Sequence, residues 1–270
     1  MKHEFYVILV LVLLFIGTHF IGLTIINEYN TRVLPFNIQR MEITQDIAYL
    51  PVFIAILVAS IIALIMIKFR TIFIWKIWFF LSLTFCLTIS FSSFFSQYLS
   101  LIVAVLLSLW RLTKPNFLIH NFTELFLYGG LAALFVPIFN IFSISLLLIL
   151  ISIYDMISVW KTKHMIELAK FQNKAKIFTG LLIPYGKKKK EDKKVFTKEA
   201  ILGGGDIGFT LLFSGVILLK YGIFSAIITS LITSIALLLL FIFGEKKKLY
   251  PAMPFLSVAC FISLGLIQLF

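Results

Sequence analysis

The sequence predicts an all-α polytopic membrane protein of nine transmembrane helices. Three observations predict it. Apolar residues make up 61% of the 270 and charged residues only 13%, about half the charged share of a soluble domain. The apolar residues, 30 Phe among them, come in runs of about the 20 that a helix needs to cross the hydrocarbon core. The formal charge of +12 is concentrated between those runs. A water-soluble fold of this size has nowhere to bury so much apolar side chain, so lipid must be its main solvent.

With that length as a ruler, spans fall at 5–27, 47–68, 73–94, 97–112, 121–138, 140–160, 199–219, 222–243 and 251–270. The first follows Met1-Lys2-His3-Glu4, is long for a signal peptide and has no small-residue cleavage site after it, so it reads as a retained anchor. The fourth is short and the fifth meets the sixth near Asn140, which makes eight the alternative count. Three stretches result: 1–160 with spans one to six, a Lys-rich loop at 161–198, and 199–270 with spans seven to nine. No second domain is expected. Within the loop, Lys187–Lys190 with Glu191, Asp192, Lys193 and Lys194 reads as a solvated strip, whereas Ile177–Pro184 is unexpectedly apolar.

Charge asymmetry sets the orientation. Of the 24 Lys and Arg residues, all but Arg32, Arg40 and Lys220 fall on the side of the N-terminus. The N-terminus and the 161–198 loop are therefore expected in the cytoplasm, and the C-terminus outside. Anionic headgroups rather than nucleic acid are the partner such clustered charge fits. The two cysteines, Cys86 and Cys260, lie in apolar runs and read as packing residues. Neither a metal site nor a cofactor is predicted.

Elimination works on the twelve acidic residues. Nine sit in loops or at span ends, and Glu124 falls in the first turn of the fifth span, where a carboxylate complements the helix N-terminus. Only Asp155 and Asp206 remain inside apolar runs. A charge there costs at least ~2.5 kcal/mol on insertion scales and usually faces an interior cavity. At 1.5 Å per residue, Asp155 lies roughly 9 Å, and Asp206 about 11 Å, below the cytoplasmic boundary. Two antiparallel helices thus bring two carboxyl groups to one level. Such a pair shares a proton. The ionised member can take a proton from water attacking a peptide carbonyl, while the protonated one hydrogen-bonds the carbonyl oxygen. Which Asp carries the proton stays open.

Gly203-Gly204-Gly205 stands before Asp206, where bare backbone allows close packing and close approach of substrate. Pro251-Ala252-Met253-Pro254 opens the ninth span, and its prolines leave nearby carbonyls unpaired. Tyr154-Asp155, Gly203–Asp206 and Pro251–Pro254, in this order on a nine-span plan, resemble the presenilin and signal peptide peptidase family of intramembrane aspartyl proteases. That resemblance implies Asp155 and Asp206 as the catalytic dyad, with Tyr154, Gly203 and Gly205 shaping the site. It also implies Pro251, Ala252 and Met253 as the proline-alanine-leucine motif, with Pro254 beside it. Met253 stands for the usual leucine, a volume-conserving change. The short loops resemble a microbial, archaeal member, and the charge count favours the presenilin-like orientation over the inverted one.

Transmembrane peptides are then the expected substrates, single spans with their N-termini outside, and no obligatory partner subunit is implied. Leu181-Leu182-Ile183, biased to extended geometry by Pro184, could pair with an unwound substrate as an added strand. A prepilin or preflagellin peptidase would share G-x-G-D but leave Tyr154 and Pro251–Pro254 unexplained. A transporter using the two Asp as a proton or cation relay is the rival from another class. The His-Glu-x-x-His zincin motif is absent, and His19, the one histidine well inside a span, reads as packing or an interhelical hydrogen bond.

Overall fold

The computed structural model describes residues 5–69, 71–114, 116–162, 171–172, 177–186, 198–244 and 250–269. The Lys187–Lys194 strip, Met1–Glu4 and Lys246–Lys248 lie outside the described residues. Among the described residues, nine long helices form the bundle: α1 (Phe5–Thr31), α2 (Tyr49–Lys68), α3 (Ile72–Ser92), α4 (Gln97–Thr113), α5 (Phe117–Phe135), α6 (Ile141–Met156), α7 (Gly204–Tyr221), α8 (Ile223–Phe243) and α9 (Met253–Leu269). Seven hydrophobic segments among them are at least 18 residues long, whereas α4 and α9 are apolar helices of 17. The protein is a multi-pass membrane protein.

Two helices carry most of the core: α7 buries apolar residues all round between Ile207 and Leu218, and α1 buries one broad face while Leu9, Leu13 and Phe20 stay exposed. Residues Ile8, Leu11 and Phe15 of α1 are fully enclosed, as are Leu211, Phe213 and Ile217 of α7. Their close crossings rest on glycine. A Cβ at Gly22 would come 2.5 Å from Leu211, and one at Gly215 would come 2.6 Å from Val136. The same device seats α5 on α3, where a side chain at Gly130 would overlap the Cys86 carbonyl oxygen. Without a hydrophobic difference between lipid and side chain, such close contact is the main attraction between spans. At the opposite extreme, α2 fully buries only Ala63 and leans on the bundle through partly buried residues such as Val52, Phe53 and Ile56.

The fifth and sixth spans are separate helices. Val136–Ile138 form a 3₁₀ turn, and Asn140 closes a capping box with Ser143 that starts α6. On the opposite side of the bundle, α6 continues past Met156 into a π-helical turn, Ile157–Lys161, with Thr162 N–H bonded to the Ile157 carbonyl at 3.0 Å.

One expectation fails. Residues 199–203, read as the start of the seventh span, are extended. Lys198–Gly203 is strand β2, antiparallel to strand β1 (Gly180–Tyr185), in the register Gly180 with Gly203, Leu182 with Ile201 and Pro184 with Glu199. An apolar run of six residues looks alike as buried strand or helix turn, and its pairing partner lies about twenty residues back along the chain. Helix α7 therefore begins only at Gly204.

Candidate active site

Asp155 lies near the end of α6, one residue after the half-buried Tyr154, and is 8% exposed. Its Oδ2 accepts a hydrogen bond of 3.2 Å from the backbone N–H of Met253, and the N–H of Ala252 also faces it. Met253 is the first residue of α9. The first N–H groups of any helix lack partners within it. Pro251 and Pro254 have no N–H at all, so Ala252 and Met253 are the only donors in this tetrapeptide, and both are aimed at Asp155. A hydrogen bond of 2.8 Å between the hydroxyls of Ser152 and Ser257 holds α6 and α9 together one turn away.

Asp206 is the third residue of α7. Its carboxyl group turns back over Gly203, whose N–H faces it, and a Cβ on Gly203 would come 3.1 Å from Oδ2. An acid three residues after the N-cap, reaching back to the cap's own N–H, is one half of a capping box. The glycine motif is therefore the local device that folds this carboxyl group over the helix start. Gly204 packs against the Tyr128 hydroxyl, where a Cβ would lie at 2.5 Å, and Gly205 is exposed. The two acids lie near enough for Asp206 to sense the charge of Asp155. Helices α6 and α7 pack directly on each other.

The residues singled out in the sequence thus divide. Asp155, Asp206, Gly203, Ala252 and Met253 surround one site, with Pro251 and Pro254 framing its donors. Leu181, Leu182 and Ile183 lie in β1, and along these residues both edges of the strand are occupied. Its inner edge bonds to β2. Its outer N–H and C=O groups, at Gly180 and Leu182, are taken by side chains of α5. These residues offer no edge to a further strand. Backbone groups alternate sides along a strand, so β2 directs Glu199, Ile201 and Gly203 away from β1. Among the described residues no strand or side chain is bonded to that edge at Glu199 or Ile201.

Sequence reasoning missed a second polar cluster. Glu124 is fully buried in the second turn of α5, not its first, and pairs with Arg111, which is 3% exposed at the end of α4. Glu124 also accepts from the Tyr128 hydroxyl and, at 3.0 Å, from Gly180 N–H. Arg111 donates to Thr123 at 2.7 Å and to the Phe178 carbonyl at 2.9 Å, and lies 4.9 Å from the centre of the Phe79 ring. Gly180 (φ +131°) has no room for a side chain, which would overlap the Leu202 carbonyl oxygen. The available signal was an Arg closing one apolar helix and a Glu opening the next.

The family model described as signal-peptide peptidase, presenilin aspartyl protease matches residues 33–267. Comparison with curated protein sequences found no match. Among solved structures, a presenilin family intramembrane aspartate protease in space group C222 superposes with a TM-score of 0.62 at 17% identity, covering 96% of this chain and 99% of that one. A presenilin family intramembrane aspartate protease in space group P2 gives 0.65 at 16% identity, with 96% of each chain covered. At such identity the likeness is one of fold.

The Met253 amide gives a direct test. Met253→Pro removes one N–H at a helix position where proline is well accommodated. Turnover of a membrane-spanning peptide should fall about 10- to 100-fold, the kinetic equivalent of one hydrogen bond to a charged group. Met253→Leu, which keeps the N–H and the volume, should lose far less.

Proposed function

The chain belongs to the signal-peptide peptidase and presenilin aspartyl protease family, and we propose that Asp155 and Asp206 are the pair with which this intramembrane protease hydrolyses peptide bonds. The observation that carries this reading is the meeting of two acids at two helix starts, Asp155 against Ala252 and Met253, Asp206 over Gly203. One carboxylate takes a proton from water as the water oxygen bonds to the scissile carbonyl carbon. The other carboxyl group gives its proton to the carbonyl oxygen, and a tetrahedral diol results. Collapse of the diol breaks the C–N bond, with a proton delivered to the leaving nitrogen. The protein supplies position and a dry setting in which these transfers are strong.

A peptide bond within a helix is shielded, so the substrate span must unwind near the site. Its freed N–H and C=O groups then need partners, since the bilayer offers none. The outward edge of β2, at Glu199 and Ile201, supplies them. A strand added there runs past Gly203 towards Asp206. The substrates are single spans with their N-termini outside, in keeping with the excess of Lys and Arg on the side of the chain's N-terminus and of the 161–198 segment. The spans within 1–160 and those from Gly204 onward form one catalytic membrane unit, which works without an obligatory partner subunit.

Three measurements test this reading. In purified protein, Asp155→Ala and Asp206→Ala should each lower cleavage of a membrane-spanning peptide about 10³-fold or more with the fold intact, because each removes half of a cooperating unit. Unimpaired cleavage by either variant would sink the assignment. Ile201→Pro should also block cleavage, since it removes an outward N–H from β2 while proline is tolerated on a strand's free edge. For topology, a reporter fused within the loop around Lys187 should register as cytoplasmic; an external signal reverses the orientation.

A further inference from the structure

Strand β1 has a second edge, and that edge is filled in an unusual way. A two-stranded sheet has two open edges, and inside a membrane neither can be left to water. The edge of β1 away from β2 presents four backbone groups between Gly180 and Leu182, while Pro184 has no N–H to present. Each of the four is met by a side chain from the first two turns of α5. Glu124 accepts from Gly180 N–H at 3.0 Å. His120 Nε2 donates to the Gly180 carbonyl at 2.7 Å, which requires the proton on that nitrogen. Asn121 closes both groups of Leu182, accepting from its N–H at 3.0 Å and donating to its carbonyl at 2.8 Å.

Residues 120, 121 and 124 share one face of a helix, and together they reproduce the donor and acceptor pattern of a neighbouring strand. We propose that His120, Asn121 and Glu124 act as a surrogate strand that holds the β1–β2 hairpin at one register against the bundle, and so determine which substrate bond is presented to the two acids. Burial reinforces the arrangement. Glu124 is fully enclosed and braced by Arg111 and Tyr128, and Tyr128 in turn packs on Gly204 at the start of α7. The face therefore grips the hairpin on one side and touches the helix bearing Asp206 on the other. Strand residues repeat every ~3.3 Å, so slippage of the hairpin by one position carries the β2 edge, and a substrate paired with it, most of the way to the next peptide bond.

These are positioning residues, and the inference rests on the substrate pairing with β2 described above. The test uses purified full-length protein with a membrane-spanning peptide, reading kcat, KM and, by mass spectrometry, the bonds cut. Asn121→Leu matches the shape of the amide and removes both hydrogen bonds to Leu182. Its kcat should fall about 10- to 100-fold, the scale of a misplacement near 1 Å, with KM little changed, and its products should spread from the principal bond to neighbouring ones. His120 is only half-buried, so a second pair guards against a variant that does not fold. His120→Phe should broaden the products in the same way, whereas His120→Gln, which keeps a donor for the Gly180 carbonyl, should restore the original pattern. A folded Asn121→Leu or His120→Phe protein that cuts only the original bonds overturns the proposal, even where its rate is reduced, because loss of stability alone lowers rate without moving the cut. Ile201→Pro is run in parallel. Normal cleavage by that variant removes the pairing with β2 and this inference with it, while the Asp155 and Asp206 variants report separately on the chemistry.

Discussion

Every unusual feature near the site answers one constraint: backbone N–H and C=O groups cannot go unpaired in hydrocarbon. Helices satisfy it internally, and for most of this chain nothing more is needed. Along Gly180–Tyr185 and Lys198–Gly203 the chain leaves the helical state, and each exposed backbone group must be answered individually. The inner edges of β1 and β2 answer each other. The outer edge of β1 is answered by α5, and the Phe178 carbonyl by Arg111. What stays open, among the described residues, is the outer edge of β2, beside the carboxyl groups. An isolated hairpin is marginal even in water, so this one owes its shape to α5 rather than to its own sequence.

The Arg111–Glu124 pair is easily misread as a stabilising salt bridge. Two buried charges lose several kcal/mol each on leaving water, and their attraction offsets that only when the remaining donors and acceptors are also satisfied. Here they are. Glu124 receives Arg111, the Tyr128 hydroxyl and Gly180 N–H; Arg111 also reaches Thr123 and the Phe178 carbonyl and lies over Phe79. These contacts tie α3, α4, α5 and the hairpin into one unit. The pair's contribution is geometric: few other arrangements of these helices would leave both charges partnered.

The spans are legible in the sequence because their signal is local. Counting apolar residues finds the nine long helices among the described residues, and eight of them begin and end within a few residues of expectation. Asp155 and Asp206 stand out for the same reason, as acids in apolar surroundings. What stays hidden depends on pairing at a distance. Nothing in Lys198–Gly203 distinguishes a strand from a helix turn until Gly180–Tyr185 is set beside it. Arg111 and Glu124 each stand near a helix end, where sequence alone points to the membrane surface; only the folding of α4 against α5 encloses them. The extended geometry of Leu181–Ile183 is legible through Pro184. Its availability is not, since that turns on three side chains of α5 some sixty residues away.

The depth of the site follows from helix lengths. At 1.5 Å per residue, the 17 residues of α9 and the 18 of α7 span about 26 and 27 Å, short of the ~30 Å hydrocarbon core. Neither helix is long enough to reach both surfaces, and the buried residues at their starts, Leu202 before α7 and Met253 in α9, set their first N–H groups, normally left to water, in apolar surroundings. An acid answers each start: Asp155, brought from α6, receives Met253, and Asp206, from within α7, folds over Gly203. Satisfying a sunken helix terminus and placing a carboxyl group are thus one act performed twice. The proline pair at 251 and 254 and the glycines from 203 to 205 are the two local solutions to it. One strips away competing donors, and the other removes the side chain that would keep the carboxyl from its own helix start. A functional pair of acids then requires only that these two sunken starts be neighbours, which the mutual packing of α6, α7 and α9 provides.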